Sequence, residues 1–377
     1  MTVDPGPATV PGLHRRAGTG QWIVRTHALA DIVLRDPHVG MVLRPDRSAT
    51  ELPGPGDVPT VTQFFALWYH RGAAHPTFGK VLRRAYAPGA VNGHAGGFAA
   101  LATARVAALP PAGDLVSAYI EPFCLDSTLR LMGFPAARWP TLTKTYHVMM
   151  AVVRRRFRGG EPAPRQAAAF AAALRYLRTA VTELTDTGDA PLADGLRTYA
   201  RAHGADPWAD VATVAQLLAA GVPQVTTAIG VACRAVYRDP ALLAAARAGD
   251  TDIAGIAEEA MRLAPPFLGV YGWLTEDCDC LGVRLTAGEA IVVDIPAVNL
   301  DPARVDDATA FCPARSRTDN VTFGKGGHYC LGAVSARLQV TAGLTALVRH
   351  EQVHPDLAGY RLGDDGFAQT VHALPYR

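Results

Sequence analysis

Charge is scarce in this 377-residue chain. Asp, Glu, Lys and Arg make up only 19% of it, and the balance of the two signs leaves a formal charge of +2. Such a balance argues against nucleic-acid binding as the main task. Cysteine is also sparse. The six cysteines, Cys124, Cys233, Cys278, Cys280, Cys312 and Cys330, do not make the dense framework of a small secreted domain. No run is read as reaching the roughly 18 apolar residues of a membrane span. Residues 1–20 are rich in Pro and Gly and lack the apolar centre of a secretory signal. These absences lead to the expectation of a soluble protein in a reducing cytoplasm. Residues 1–20 are read as a flexible leader and 21–377 as a single domain. What is plentiful is apolar side chain, 49% of the chain, enough for a large globular core.

The most informative stretch is Phe323-Gly324-Lys325-Gly326-Gly327-His328-Tyr329-Cys330-Leu331-Gly332. One cysteine sits in a glycine-rich loop, and the apolar spacing of Ala333 to Val348 predicts a helix directly after it. Glycines let backbone amides approach the sulfur, and a helix N-terminus favours a thiolate. A thiolate so held is a good axial ligand for haem iron.

This stretch resembles the haem-binding loop of the cytochrome P450 family, F-x-x-G-x-[HR]-x-C-x-G, at Phe323, Gly326, His328, Cys330 and Gly332. The resemblance implies a mainly α fold with a small β lobe, the triangular helical prism of that family. It implies haem b with Cys330 as iron ligand. It also implies a small organic substrate and electrons from NAD(P)H through a ferredoxin and its reductase.

Other segments are read against the same family in chain order. Gln21 to Arg25 predicts a strand and His27 to Leu34 a helix. The aromatic run ending in Trp68, Tyr69 and His70 falls where the family covers its substrate pocket, and equally fits core packing. His75 matches a propionate-binding histidine, but Gly79 stands where the family has its arginine. Lys80, Arg83 and Arg84 read either as a docking face for an acidic electron donor or as a solvated helix face. The cluster Arg154, Arg155, Arg156 and Arg158 has the same two readings, with an anionic substrate or acidic carrier protein as its partner.

The longest helical pattern, Pro207 to Arg238, resembles the family's central helix over the distal haem face. Counting back from Asp239-Pro240 sets Ala220-Gly221 on the family's Ala-Gly. Pro223 then replaces the acid and Gln224 the first threonine of the proton-delivering pair. Proline has no donor, and glutamine bonds hydrogen without acting as an acid near neutral pH. Pro223 is also expected to kink the helix. Gly221, Pro223 and Gln224 are therefore the candidate distal residues. The chemistry stays open among oxygen insertion, peroxide use and oxidative coupling or cyclisation. A non-catalytic helper of the same family is a further reading.

Glu259-Ala260-Met261-Arg262 matches the family's E-x-x-R, and Phe311-Cys312-Pro313-Ala314-Arg315 its F-x-P-x-R. Glu259, Arg262 and Arg315 are thus assigned a buried bracing network. Gly272 replaces the arginine expected to bind the other propionate, with Tyr271 and Trp273 beside it. Two patterns carry metal chemistry only weakly. Cys278-Asp279-Cys280 has no second cysteine pair in the sequence, and His350-Glu351-Gln352-Val353-His354 is followed at once by Pro355. The aromatic distal segment and altered central helix point to a tailoring enzyme acting on an aromatic or peptide natural-product intermediate.

Overall fold

The computed structural model describes residues 10–41, 54, 56–71, 76–204, 206–315, 320–364 and 368–377. The helices are α1 (His27–Arg35), α2 (Val61–Arg71), α3 (Pro76–Ala85), α4 (Pro88–Asn92), α5 (Ala95–Ala107), α6 (Glu121–Met132) and α7 (Trp139–Phe157). They continue as α8 (Pro164–Thr187), α9 (Pro191–His203), α10 (Pro207–Tyr237), α11 (Pro240–Ala248), α12 (Ile253–Leu263), α13 (Ile295–Asn299) and α14 (Ala333–Arg349). The strands are β1 (Leu13–Arg15), β2 (Trp22–Val24), β3 (Val39–Met41), β4 (Gly113–Asp114), β5 (Gly269–Leu274), β6 (Ala290–Asp294), β7 (Arg361–Asp364), β8 (Gln369–Ala373) and β9 (Pro375–Tyr376).

Aspartate caps start several of these helices. Asp206, Asp239, Asp252 and Asp294 each accept backbone N–H groups from the first turn that follows. Those donors have no partner inside the helix, so each cap satisfies groups otherwise left open. Proline in the first turn of α10, α11 and α13 costs no hydrogen bond there.

Two apolar clusters organise the chain. The larger joins the helices around α10, with Trp208, Phe98, Phe123 and Phe170 almost fully buried. The smaller lies under a five-stranded sheet in the order β1-β2-β6-β5-β3, where Val24, Val33, Ile291 and Val293 meet. In that sheet β2 runs parallel to β6, and β5 runs antiparallel to both β6 and β3.

Three expectations change here. The stretch read as a leader contributes β1, whose Leu13, His14 and Arg15 pair with Val24, Ile23 and Trp22. The expected absence of a span-like segment does not hold for α10, where an 18-residue window has mean hydropathy 1.4. That helix is apolar because it is central, and 61% of the window is buried within the protein. Finally, α14 ends at Arg349, so His350 and His354 do not share a helical face and the zinc-protease pattern is not built. Pro223 lies inside α10, and the helix continues through it to Tyr237.

Candidate cofactor-binding site

The cysteine loop is braced on three sides. Lys325 Nζ lies 3.3 Å from Asp31 Oδ1 and 3.0 Å from His27 Nε2, tying the loop to α1. Arg83 of α3 donates to the Gly327 carbonyl at 3.5 Å. Arg337, on α14, stands over the Phe323 ring at 4.2 Å and donates to the Tyr329 hydroxyl at 2.9 Å, while its other nitrogens hold buried Glu258. Within the loop, the Cys330 N–H donates to the Phe323 carbonyl at 2.7 Å. Gly326 has φ +60°, and a Cβ there would sit 2.7 Å from the Leu34 carbonyl oxygen. Only glycine allows that conformation and that approach to α1 together.

This braced loop is nonetheless open. Gly326, Gly327, Tyr329 and Cys330 are exposed, although the flanking Val321 and Ala333 are buried. At Gly332 an added Cβ would meet only Ser335 Oγ, at 3.5 Å, and φ is ordinary at −85°. The chain itself therefore does not require glycine at this motif position; a flat group lying against the loop would. Crowding by the loop raises the pKa of the Cys330 thiol, while the Gly332 N–H and the Arg337 guanidinium pull it down. Direct bonding to a metal ion reverses that balance and removes the proton. These residues fit a haem.

On α10 the candidate distal residues divide between two faces. At about 100° per residue, Gly221 and Gln224 lie on one face and Pro223 and Thr226 on another. A Cβ at Gly221 would meet nothing within 4 Å. Gln224 Oε1 is buried and takes no hydrogen bond. An acceptor stripped of water without a partner costs on the order of 1–3 kcal/mol, so it marks a place where a ligand or water belongs. Pro223 and Thr226 instead line a cleft of about 410 Å³ with Asp114, Glu121, Tyr146 and Arg154. Pro223 thus opens on that cleft, about 100° around α10 from Gln224. Thr226 Oγ1 donates to the Val222 carbonyl at 2.8 Å, and Thr227 Oγ1 to the Gln369 carbonyl at 3.2 Å. Both hydroxyl protons are committed to backbone.

Behind the loop, Arg262 donates from Nε and Nη2 to the two Glu259 oxygens at 2.7 and 2.8 Å. It also donates to the carbonyls of Asn299 and Ala308. Arg315 Nε and the Cys312 N–H reach Glu259 Oε1 at 3.2 and 3.0 Å. Burial would raise the Glu259 pKa, but these donors outweigh it and hold it below the ordinary glutamate range.

Some candidates lie beyond reach of this description. His75 is outside the described residues, and so are the side chains of His328, Trp68, Tyr69, His70 and Lys80. Gly79 is buried, and Gly272 lies in β5 opposite Met41 and Ile291. Trp273 Nε1 beside it is buried without a partner. Sequence reasoning missed Arg337 and Lys325 as braces. The helical spacing of Arg337 after Cys330 was the available signal; the Lys325 contact with α1 had none.

A profile described as "Cytochrome P450" matches residues 255–361. The chain is 28% identical over 254 residues to cytochrome P450 107B1 of Saccharopolyspora erythraea, a match covering 67% of this chain and 60% of that protein. It is 30% identical over 139 residues to the 2-hydroxy-5-methyl-1-naphthoate 7-hydroxylase of Streptomyces carzinostaticus, covering 36% of this chain and 34% of that one. Both matches span less than two thirds of the relative. The structure of CalO2 superposes with a TM-score of 0.77 at 25% identity, over 97% of this chain and 92% of CalO2. Together with the braced, outward-facing cysteine loop, these likenesses support a cytochrome P450.

Proposed function

We propose that this protein is a haem-thiolate oxidoreductase that oxidises a small organic molecule, with haem b held by Cys330. The observation that carries the reading is the open Cys330 on a loop fixed by α1, α3 and α14. When bound, the haem supplies dioxygen activation and the oxidising equivalents. Cys330 would supply the thiolate, and Phe323, Gly326 and Gly332 would help to hold the group against the loop. His328 and His75 are assigned to the propionates. The exposed Arg83, bonded to Gly327, and its neighbour Arg84, also exposed, form the face offered to a ferredoxin carrying electrons from its reductase.

The Gly221–Gln224 face holds substrate and oxygen. Gln224 orients a water or a substrate hydroxyl through its amide, and gives up no proton of its own. Protons therefore arrive through water or from the substrate. The likeness to a naphthoate hydroxylase, and the aromatic run at Trp68 and Tyr69, support an aromatic natural-product intermediate as substrate. Reduced, CO-treated protein is expected to show the red-shifted Soret band of thiolate ligation. An imidazole-type band in folded, haem-loaded protein refutes the assignment.

A second reading, a peroxide-driven or coupling enzyme, is favoured by one observation. The Gly221–Gln224 face carries no acid, and the Thr226 and Thr227 hydroxyls are bonded elsewhere. Gln224→Ala separates the two. If Gln224 positions water for protonation, product formed per NAD(P)H falls about tenfold, the cost of one well-placed hydrogen bond, with haem content unchanged. Unaltered coupling with ferredoxin, joined to turnover on hydrogen peroxide alone, favours the peroxide route.

A further inference from the structure

We propose that Asp36, Cys278 and Cys280 form a redox-controlled site for a soft divalent cation, with zinc as its probe. The carboxylate oxygen and the two Sγ atoms lie within 4.8 Å of one another, and all three residues are half-buried. The sheet builds this meeting. Val39 of β3 pairs with Leu274 of β5, so the residue three before β3 meets the hairpin after β5. Thr275 N–H and Oγ1 lock the junction by donating to the His38 carbonyl at 2.8 and 2.9 Å. The hairpin is closed where Cys278 and Leu285 bridge. Cys278 therefore stands on paired backbone, Asp36 caps the end of α1, and Cys280, in the turn that follows, donates its N–H to Cys278 Sγ at 3.1 Å.

The carboxylate is also oriented. Asp36 Oδ1 accepts the His38 backbone N–H at 2.8 Å and faces His38 Nδ1 at 3.0 Å. Such outer contacts fix a ligand's direction. Two thiolates and a carboxylate make a set that zinc accepts, with water in its fourth position. Asp277 and Asp279 add negative charge nearby, shared with Arg284 at 2.9 and 3.2 Å.

Cys278 and Cys280 are joined as a disulfide. In that state the sulfurs have no thiolate to offer. Reduction by a dithiol or a phosphine opens the site. With a phosphine, the S–S bond takes two electrons and two protons, and the phosphine becomes its oxide with oxygen from water. Zinc then displaces the two thiol protons to solvent as the metal–sulfur bonds form. Bound metal would tie the α1–β3 junction to the hairpin, and the oxidised pair would release it.

The test uses the haem-loaded full chain. It is reduced with a water-soluble phosphine, freed of reductant without air, and titrated with zinc against a chromophoric chelator. The expected result is one zinc per chain, at least tenfold tighter than in the oxidised protein, with two protons lost in the native mass spectrum. Cys278→Ser/Cys280→Ser should abolish uptake, and Asp36→Asn should weaken it about tenfold. The reduced CO spectrum should be the same throughout. Equal uptake by oxidised protein or by the double serine variant overturns the proposal. So does no uptake once a thiol count shows two new reactive groups, or a count that does not change on reduction. If the serine variant loses its haem through misfolding, Asp36→Asn decides, and unweakened binding there removes the site.

Discussion

Cys330→Ala is expected to abolish the red-shifted CO band and to cut turnover by more than the roughly 10–100-fold that loss of an outer-shell partner costs a metal site. The fold should survive. Cys330 is exposed, so its loss opens no cavity in the core. The loop keeps its braces through Lys325–Asp31, Arg83–Gly327 and Arg337–Phe323. Far-ultraviolet dichroism should match that of the parent while the haem spectrum changes. A variant that keeps a thiolate-type band shows that the axial sulfur comes from elsewhere. Loss of helicity along with the band would show instead that Cys330 holds the loop together.

Arg262→Ala carries the largest expected effect on stability. The two side chains are nearly sealed from water, Arg262 at 1% and Glu259 at 3% exposure. Removing the guanidinium leaves the buried carboxylate with only Arg315 and the Cys312 N–H on Oε1, strips Oε2 of its donor, and takes the donor from the Asn299 and Ala308 carbonyls. Breaking a buried pair this way costs about 3–5 kcal/mol when the remaining charge has no other partner; Arg315 and the Cys312 N–H still hold Glu259, so the lower end of that range is expected. Replacing both partners, as in Glu259→Leu/Arg262→Met, should cost less, since the charge left behind, Arg315, is partly exposed and keeps the Asp306 carbonyl at 2.8 Å. Urea unfolding, read as a change in midpoint with unchanged slope, measures both. The pH dependence has a definite sign. The Glu259 pKa is held below the ordinary value of 4.5, so its contribution is fully present above that pH. It is lost as pH falls below about 4.5 through the folded value, because the unfolded chain then binds the proton first. Arg262→Ala should flatten that acid limb, whereas a purely local packing defect would shift the whole curve without changing its shape.

The two candidate faces of α10 show where sequence reasoning reached its end. Counting from Asp239-Pro240 proposes Ala220-Gly221 and Gln224 as the distal register, and a Cβ at Gly221 would meet nothing within 4 Å. A string of letters does not say that Pro223 turns toward Tyr146 and Arg154, on elements distant in sequence. Nor does it say that Thr226 and Thr227 have bonded their hydroxyls to Val222 and Gln369. Likewise β1 was hidden, because three residues are too short for a period-two pattern to stand out; only pairing with β2 makes them a strand.

By itself, the sequence determined the features whose chemistry is local. The cysteine loop is contiguous, its glycines answer to backbone conformation, and the Asp caps and the Glu259-to-Arg262 spacing follow from helix geometry. Tertiary structure alone decided the meetings of distant residues: Asp36 with Cys278 and Cys280, Lys325 with Asp31, and Arg315 with Glu259. Such contacts depend on the register of β3 against β5 and on the packing of helices, which carry no periodic trace along the chain. The proposal of Cys330 as a cofactor ligand therefore rests on ten contiguous residues, whereas the contacts that brace its loop required the fold.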